Sequence, residues 1–417
     1  MKNLKLIGPI SQLLTLDHLL LKGTLKDEQL EILENAGILI EGGKILEVGN
    51  FESLKTKAKS LGAEIIALIG DHVAVPGFVD CHTHICFGGS RARDFAMRNS
   101  GKNYLEIAEA GGGIWDTVTQ TRKLSLEELA EKTLKNANHH LSEGVTTIEV
   151  KSGYGLSVDE ELKMLRAIQK AKESTYADLI PTCLAAHMKP RDFAGSNSEY
   201  LAEISDQLFP ILKAEKLCNR IDAFIEKSAF SPDEIKSYFQ KAKDSGFDIT
   251  VHADQFSPGG SEIAILFGAK SADHLEASTE KEISQLAKSD VIAVALPGAS
   301  LGLGYAFTPA RKILDKGNAL AIASDWNPGS APMGDLLKQA SILATFEKLS
   351  TAEVFAGITF RAAAALGLKD RGRLKAGLLA DFCFFPTSDF QEILYHQGTM
   401  KPVQVWKKGE KILDFMV

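Results

Sequence analysis

Eight short apolar runs, separated by long charged stretches, occupy the chain between residues 75 and 365. The charged stretches have helical periodicity, and Ser125 and Ser231 each precede an acid by three residues, which is the pattern of a helix capping box. Strands that alternate with helices eight times over this length are typical of a (β/α)8 TIM-like barrel. The runs span residues 74–79, 146–150, 179–186, 221–225, 249–251, 271–275, 291–296 and 319–323.

A doubly wound open sheet is the alternative architecture for such an alternation. That fold would be favoured by a glycine-rich fingerprint directly after an early strand. The glycine run at 111–113 neither matches GxGxxG nor follows a strand in the required register. The sequence therefore favours the barrel.

Both ends of the chain differ from the middle because they contain hairpin patterns. Near the start, residues 37–40 and 44–48 flank a turn at Gly42 and Gly43, and near the end a strand at 380–385 precedes a hairpin at 403–413. We expect the two ends to form one small β-sandwich domain. The predicted division is 1–74 for its N-terminal part, 75–365 for the catalytic barrel and 366–417 for its C-terminal part.

Composition excludes several classes of partner. Among 417 residues, 47 basic against 54 acidic side chains give a net charge of −7, which offers no footprint for nucleic acid. The apolar stretch at 13–21 is interrupted by Asp17 and His18 and is too short to span a bilayer, and the start lacks a signal-peptide pattern. Five cysteines without a CxxC pair fit a reducing compartment. We expect a cytoplasmic protein without a membrane or nucleic-acid partner.

Polar residues at the predicted strand ends are the candidate functional residues. His82 and His84 follow the first strand two residues apart, so their side chains share one face. Since chemistry in such barrels is located at the carboxyl ends of the strands, the other strand-end residues are expected nearby. These are His187, His252, His274 and Asp325. His139 and His140, by contrast, are interpreted as a helix face without a partner.

Metal chemistry gives these residues roles. Three histidines and one aspartate fill a site for Zn²⁺ or Fe²⁺ and leave a position for water or substrate. Asp325 is suited to accept the proton of an attacking water, and His274 to orient that water or carry its proton. The predicted reaction is metal-assisted hydrolysis of an amide-like bond.

The sequence resembles the amidohydrolase superfamily and, within it, the imidazolonepropionase family. The resemblance extends over nearly the whole chain. It is carried by PGFVDCHTH at 76–84, THICFGGSR at 83–91, AGGGI at 110–114, EVKSGYG at 149–155 and SDWNPGS at 324–330. The histidine pair alone is weakly specific, whereas the longer strings are strongly so.

The resemblance implies hydrolysis of the lactam C–N bond of 4-imidazolone-5-propanoate to N-formimidoyl-L-glutamate, a step of histidine degradation, by a hydrolase with one Zn²⁺ or Fe²⁺/Fe³⁺ ion. It implies His82, His84, His252 and Asp325 as metal ligands, and it implies a homodimer. Substrate contacts are implied for Arg91, Tyr154, His187, Gln255, Asn327, Gly329 and Ser330. A guanidinium binds a carboxylate in a bidentate manner, so Arg91 suits the propionate.

The catalytic group is predicted to be His274, Asp325 and Gln255, with different tasks. Some family members have Glu at the position of Gln255, and because Gln cannot act as a base, Gln255 is interpreted as a residue that orients the ring. The base is then Asp325 or His274. Lys227, after the fourth strand, has no second ligand set beside it, which favours a mononuclear site.

Two other functions remain open from the sequence. Another cyclic amidohydrolase, or an aminohydrolase acting on a purine or pyrimidine, uses the same metal chemistry. A non-catalytic barrel that serves as a scaffold belongs to a different class, and we expect such a protein to lose ligands. The complete ligand set and Arg91 favour the lactam hydrolase.

Overall fold

The computed structural model describes residues 4–102 and 104–414. The strands of this part are β1 (Leu4–Leu14), β2 (Ile32–Glu41), β3 (Lys44–Asn50), β4 (Glu64–Ala67), β5 (Val73–Pro76), β6 (Phe78–Asp80), β7 (Val145–Lys151), β8 (Asp178–Ala186), β9 (Arg220–Ala223), β10 (Asp248–Ala253), β11 (Ser271–His274), β12 (Ile292–Ala295), β13 (Leu320–Ile322), β14 (Phe382–Phe385), β15 (Gln404–Lys407) and β16 (Glu410–Asp414).

The α-helices of the same part are α1 (Phe51–Leu61), α2 (Ala92–Asn99), α3 (Tyr104–Glu109), α4 (Ile114–Lys123), α5 (Leu126–Ser142), α6 (Val158–Lys172), α7 (Asn197–Ala214), α8 (Pro232–Asp244), α9 (Gly260–Phe267), α10 (Glu280–Leu286), α11 (Pro297–Leu303), α12 (Ala310–Asp315), α13 (Leu336–Glu347), α14 (Thr351–Gly357), α15 (Phe360–Ala365) and α16 (Gln391–Tyr395). A short 3-10 helix spans Asp27–Gln29.

Strands β6 to β13 form the barrel. They follow one another around the sheet in chain order, and every neighbouring pair is parallel. Seven of the eight predicted runs coincide with these strands, and Ser125 and Ser231 form the capping boxes that begin α5 and α8. The predicted barrel is therefore confirmed, and the doubly wound alternative is wrong.

The seam between the last and first barrel strands closes at their carboxyl ends. The backbone N–H of Asp325 donates to the His82 carbonyl at 3.0 Å, and that of His84 donates to the Trp326 carbonyl at 2.9 Å. Below this point the Asp80 carboxylate accepts from the Ser324 N–H at 3.1 Å. Closure therefore sets the residues that follow β6 directly beside those that follow β13.

A separate β-domain is built from both ends of the chain, as expected. It is an eight-stranded mixed sheet with the order β16-β15-β14-β5-β1-β2-β3, in which β4 also pairs with β1. The predicted hairpins are β2–β3 and β15–β16. Buried side chains such as Ile38, Phe382 and Trp406 give this sheet an apolar core of its own.

The first predicted strand is divided between the two sheets. β5 pairs with β14 in the mixed sheet, whereas β6 begins the barrel after Gly77. Gly77 lies against Thr146, where a Cβ atom would come within 2.6 Å of the threonine side chain, so the crossing needs glycine. The predicted 74/75 boundary falls inside β5, and the limits 1–74, 75–365 and 366–417 stay predictions.

Charged residues join the barrel to the β-domain. Asp178, at the start of β8, lies 2.8 Å from Lys407 Nζ of β15 and 2.6 Å from Arg371 Nη1.

Among the described residues, none of the helices has the length and apolar character that a membrane span requires. The five cysteines are all buried and free.

Candidate active site and metal centre

Three histidines converge at the carboxyl end of the barrel. His82 and His84 follow β6 and His252 lies on β10, and all three are buried. The Nε2 atom of His84 lies 3.3 Å from Nε2 of His82 and 3.3 Å from Nε2 of His252. Three imidazole nitrogens gathered at this spacing can serve together as ligands of one metal ion.

Asp325 adds an oxygen to this cluster. Its Oδ1 lies 3.5 Å from His82 Nε2 and 3.4 Å from His84 Nε2. Its backbone has a left-handed φ of 51°, which is uncommon outside glycine and asparagine. Strained backbone conformations of this kind are common at functional sites, where they fix the direction of a side chain. Here the hydrogen bond from the Asp325 N–H to the His82 carbonyl holds the residue in this conformation.

Buried carboxylates contact the opposite nitrogens of two of these histidines. Asp273 Oδ2 lies 2.7 Å from His82 Nδ1, and Asp222 Oδ2 lies 2.9 Å from His252 Nδ1. Because an ionised carboxylate only accepts, each Nδ1 carries a hydrogen and donates it, which leaves Nε2 as the nitrogen that faces the cluster. This is the usual partnership by which proteins fix the tautomer of a metal-binding histidine.

The electrostatics of the cluster favour a cation. Burial lowers the pKa of His84 and of His252 to about 3, so both rings are neutral. Burial opposes charge on His82 as well, yet hydrogen bonds with Asp273 and Asp325 raise its pKa to about 9. Burial also favours a neutral Asp325, but His82 and His84 hold the pKa of its carboxyl well below the usual range.

These donors fit one divalent ion. His82, His84 and His252 each bring one ligand atom within 4.8 Å of the others, and Asp325 supplies a carboxylate oxygen. Three imidazoles and one carboxylate suit zinc or iron rather than calcium or magnesium. The nitrogen and oxygen ligands do not distinguish zinc from iron.

Four further polar residues beneath this cluster escaped the sequence analysis. Glu149 and Lys151 of β7, Asp222 of β9 and Asp273 of β11 are fully buried. The available signal was charge inside an apolar run: Glu149 and Lys151 alternate on one face of their strand, and Asp273 directly precedes His274.

A cavity of about 560 Å³ opens above the cluster. Eleven residues that the sequence singled out line it together with others that it did not, among them Arg98, Lys102 and Tyr305. The eleven are His84, Arg91, Tyr154, His187, His252, Gln255, His274, Asp325, Asn327, Gly329 and Ser330. His82, the remaining predicted site residue, lies beneath the cavity, where it contacts His84 and Asp325.

Arg91 is oriented by Asp94. Its Nε donates to Asp94 Oδ2 at 2.7 Å, and the same oxygen accepts from the Gly113 N–H at 2.8 Å. At Gly112 a Cβ atom would come within 2.3 Å of Asp94 Oδ1, so the glycine run lets the backbone approach this carboxylate. The loop after β6 and the start of α4 therefore hold one guanidinium at the cavity.

The segment after Asp325 forms a tight turn around Asn327. Asn327 Oδ1 accepts from the N–H groups of Gly329 and Ser330 at 2.7 and 2.8 Å. Its Nδ2 donates to the Asp325 carbonyl at 2.7 Å and to Ser330 Oγ at 2.9 Å. Gly329 packs against Arg91, where a Cβ atom would lie 2.4 Å from Nη1.

Tyr154 and His187 share a second wall. The His187 Nδ1–H donates to the Gly153 carbonyl at 2.9 Å, and burial lowers the pKa of this ring to about 3, so His187 is neutral with Nε2 free to accept. Glu161 of α6 accepts from the N–H groups of Gly155 and Leu156, both at 2.8 Å. This carboxyl therefore holds the loop that presents Tyr154.

His274 and Gln255 lie on the remaining side. His274 has a left-handed φ of 85°, its ring centre is 5.4 Å from that of His252, and its Nδ1 is 3.5 Å from Glu276 Oε2. Gln255 follows β10 and is half-buried at the cavity. Both side chains line the cavity, so a ligand bound there would contact them.

The expectation that His139 and His140 have no partner is wrong for both: the ring centre of His139 lies 5.6 Å from that of Trp326, and the more extensive contacts are those of His140. This residue is fully buried, its Nε2 lies 3.2 Å from Asp80 Oδ2, and its ring centre lies 4.8 Å from that of Trp326. The reason is helical periodicity: Thr133, Ala137 and His140 form the inner face of α5.

Comparisons with known proteins give a consistent family. The amidohydrolase family matches residues 73–412 of this chain. The imidazolonepropionase of Bdellovibrio bacteriovorus is 41% identical over 413 residues, which cover 98% of this chain and 96% of that protein. The imidazolonepropionase of Bacillus cereus is 39% identical over 406 residues, which cover 96% and 94%.

Solved structures share the fold at low identity. An atrazine chlorohydrolase from Arthrobacter aurescens complexed with zinc superposes with a TM-score of 0.72 at 17% identity, covering 98% of this chain and 95% of that one. An adenosine deaminase from Xanthomonas campestris with bound zinc gives a TM-score of 0.69 at 18% identity, covering 98% and 93%. At such identities the likeness establishes the architecture alone.

Proposed function

This chain belongs to the amidohydrolase family and, within it, to the imidazolonepropionases, and from that membership we infer that it hydrolyses the lactam C–N bond of 4-imidazolone-5-propanoate to N-formimidoyl-L-glutamate. It is a hydrolase that acts on carbon–nitrogen bonds in cyclic amides, in the degradation of histidine. The observation that carries this conclusion is 41% identity to an imidazolonepropionase over 98% of the chain.

We assign His82, His84, His252 and Asp325 as the residues that hold one metal ion, Zn²⁺ or Fe²⁺/Fe³⁺. Such an ion, when bound, lowers the pKa of water and polarises a carbonyl. The support is the approach of three Nε2 atoms and one carboxylate oxygen, with the Nδ1 atoms of His82 and His252 facing carboxylates.

Substrate binding is assigned to both walls of the cavity. Arg91 takes the propionate with its terminal amino groups, since Asp94 already engages Nε. Tyr154, His187 and Gln255 contact the ring. Asn327, Gly329 and Ser330 complete the opposite wall, where the turn around Asn327 fixes their geometry.

Proton transfer is assigned to Asp325 and His274, with Gln255 as the residue that orients the ring. Asp325 Oδ1 faces His82 and His84, so Oδ2, which lies 3.5 Å from Ser330 Oγ, is the atom placed to accept a proton from water. His274 then carries the proton toward the leaving nitrogen. Opening of the ring leaves a carboxylate on the former carbonyl carbon and an N–H on the formimidoyl nitrogen.

Turnover of 4-imidazolone-5-propanoate tests the function. We expect the absorbance of the substrate to disappear with purified protein, and N-formimidoyl-L-glutamate to form in equal amount. Release of ammonia from a purine or pyrimidine, without turnover of the imidazolone, would instead identify an aminohydrolase.

Removal of the ion tests the metal centre. We expect elemental analysis to find one zinc or iron per chain, chelation to abolish turnover, and re-addition of one of these metals to restore it. Asp325→Ala should abolish turnover and weaken metal binding. Protein without bound metal, and without activity after either metal is added, would support a scaffold.

Assembly and location are proposals from the sequence. We propose a homodimer in the cytoplasm, the location that the cysteine pattern favours. Sedimentation analysis of the purified chain and fractionation of its cells test the two statements separately.

A further inference from the structure

A layer of buried charge lies directly beneath the proposed metal ligands. This ionic layer consists of Glu149, Lys151, Asp222 and Asp273, none of which has measurable exposure. Lys151 Nζ lies 2.9 Å from Glu149 Oε2 and 2.8 Å from Asp222 Oδ2, and it is 3.8 Å from Asp273 Oδ2. A single ammonium group therefore lies among three carboxylates contributed by three strands.

The carboxylate oxygens that face Lys151 are the ones that face the histidines. Asp222 Oδ2 is 2.8 Å from Lys151 Nζ and 2.9 Å from His252 Nδ1. Asp273 Oδ2, which is 3.8 Å from Lys151 Nζ, accepts from His82 Nδ1 at 2.7 Å. Lys151 is thus linked to two different metal ligands through one oxygen atom each.

Both carboxylates also have polar partners that limit their rotation. Thr250 Oγ1 donates to Asp273 Oδ2 at 3.2 Å, and the His252 N–H donates to Asp222 Oδ1 at 3.2 Å. Glu149, on the far side of Lys151, accepts from Thr182 Oγ1 at 2.6 Å. The ammonium group of Lys151 has hydrogen atoms to donate to Glu149 Oε2 and Asp222 Oδ2, and Asp273 Oδ2 lies at ion-pair distance from it.

We infer that Lys151 is a positioning residue that holds Asp222 and Asp273 against His252 and His82, and thereby directs the two Nε2 atoms toward the metal. This inference rests on the proposed function, because it presumes the metal centre. Lys151 belongs neither to the lining of the cavity nor to the three-histidine cluster. Its contribution is to fix the carboxylates, which would otherwise repel one another in a dry interior.

The affinity of the purified protein for zinc alone tests the inference, measured by competition with a chromogenic chelator. We expect Lys151→Met to lower zinc affinity about 10–100-fold, the usual effect of losing an outer partner of a metal ligand. Arg361→Met is the matched control, because Arg361 is an equally buried cation that instead donates to the carbonyl of Gly23. This control should lose stability and keep its zinc affinity.

A double-mutant cycle separates positioning from a general effect on folding. If Lys151 acts through Asp222 and Asp273, then Lys151→Met should cost little further zinc affinity in a background that carries both Asp222→Asn and Asp273→Asn. Additive losses would overturn the inference, as would a folded Lys151→Met protein with zinc affinity within about threefold of the wild type.

Substitute variants distinguish a folding defect from a loss of zinc affinity. Should Lys151→Met not fold, Lys151→Gln replaces it. If that variant also fails, Asp222→Asn and Asp273→Asn decide: loss of zinc affinity in both supports the inference, and unchanged affinity in both overturns it. Absence of imidazolone turnover by the wild type would refute the proposed function and leave these zinc affinities interpretable.

Discussion

The backbone N–H of Asp325 donates to the carbonyl of His82 at 3.0 Å, across the seam that joins the end of the barrel to its beginning. These residues are 243 positions apart in the sequence, yet one hydrogen bond sets their side chains beside each other. The bond therefore belongs both to barrel closure and to the geometry of the proposed metal centre.

Removal of the guanidinium at the cavity should separate binding from chemistry. We expect Arg91→Ala to raise KM about 10–100-fold and to change kcat little, because the propionate loses its bidentate partner far from the bond that breaks. Steady-state kinetics measure both constants. Arg93→Ala, at an exposed position two residues away, is the control and should behave like the wild type. An unchanged KM in Arg91→Ala would refute the assignment.

A single methyl group at Gly329 should displace Arg91. The new Cβ atom would come within 2.4 Å of Nη1, a distance that forces the guanidinium to move. We expect Gly329→Ala to raise KM about tenfold or more while the protein stays folded. Gly49→Ala is the control, since its Cβ atom would meet only Leu54 carbons at 4.0 Å. Kinetics of Gly329→Ala equal to those of the control would contradict the role of this contact.

Glu161 should be needed for the loop that presents Tyr154. Glu161→Ala leaves the N–H groups of Gly153, Gly155 and Leu156 without their acceptor, and each such loss costs about 1–3 kcal/mol. We expect a lower Tm and a loss of kcat/KM of at least about tenfold. Glu161→Gln keeps one carbonyl oxygen and should retain most of both. Equal defects in the two variants would show that charge, rather than acceptance, matters.

Stability in acid should depend on Asp178. Burial favours the neutral acid there, but Lys407 and Arg371 outweigh it and hold the pKa of this carboxyl well below its usual range. Because the folded pKa lies below the unfolded one, the stabilisation is complete above about pH 4 and is lost as pH falls further.

Asp178→Asn should therefore lower the free energy of unfolding by about 3 kcal/mol at pH 7 and by less at pH 3. Urea unfolding at the two pH values measures this difference. Asp290→Asn removes a fully exposed carboxylate that pairs with Lys22, and it should change stability little at either pH. A loss at pH 3 as large as that at pH 7 would contradict the assignment.

The sequence by itself determined the architecture and the positions of the proposed ligands. The apolar runs at 146–150, 179–186 and 271–275 predict β7, β8 and β11 because strands and helices repeat with different periods, and periodicity is local information. His82, His84, His252 and Asp325 were found because barrel chemistry lies at the carboxyl ends of strands.

Only the tertiary structure decided which buried polar groups meet. The run at 74–79 gave no sign that it divides between two sheets, since pairing partners β14 and β7 come from distant parts of the chain. His140 looked unpaired because Asp80 and Trp326 reach it only after the barrel closes.

Lys151 is the clearest example of a buried group whose partners only the tertiary structure reveals. A charge in an apolar run does not name its partner, and Asp222 and Asp273 lie 71 and 122 residues further along the chain. Burial makes an isolated charge costly, so the fold had to supply these carboxylates. Local pattern thus fixed where the strands are, and closure of the barrel fixed which charges they share.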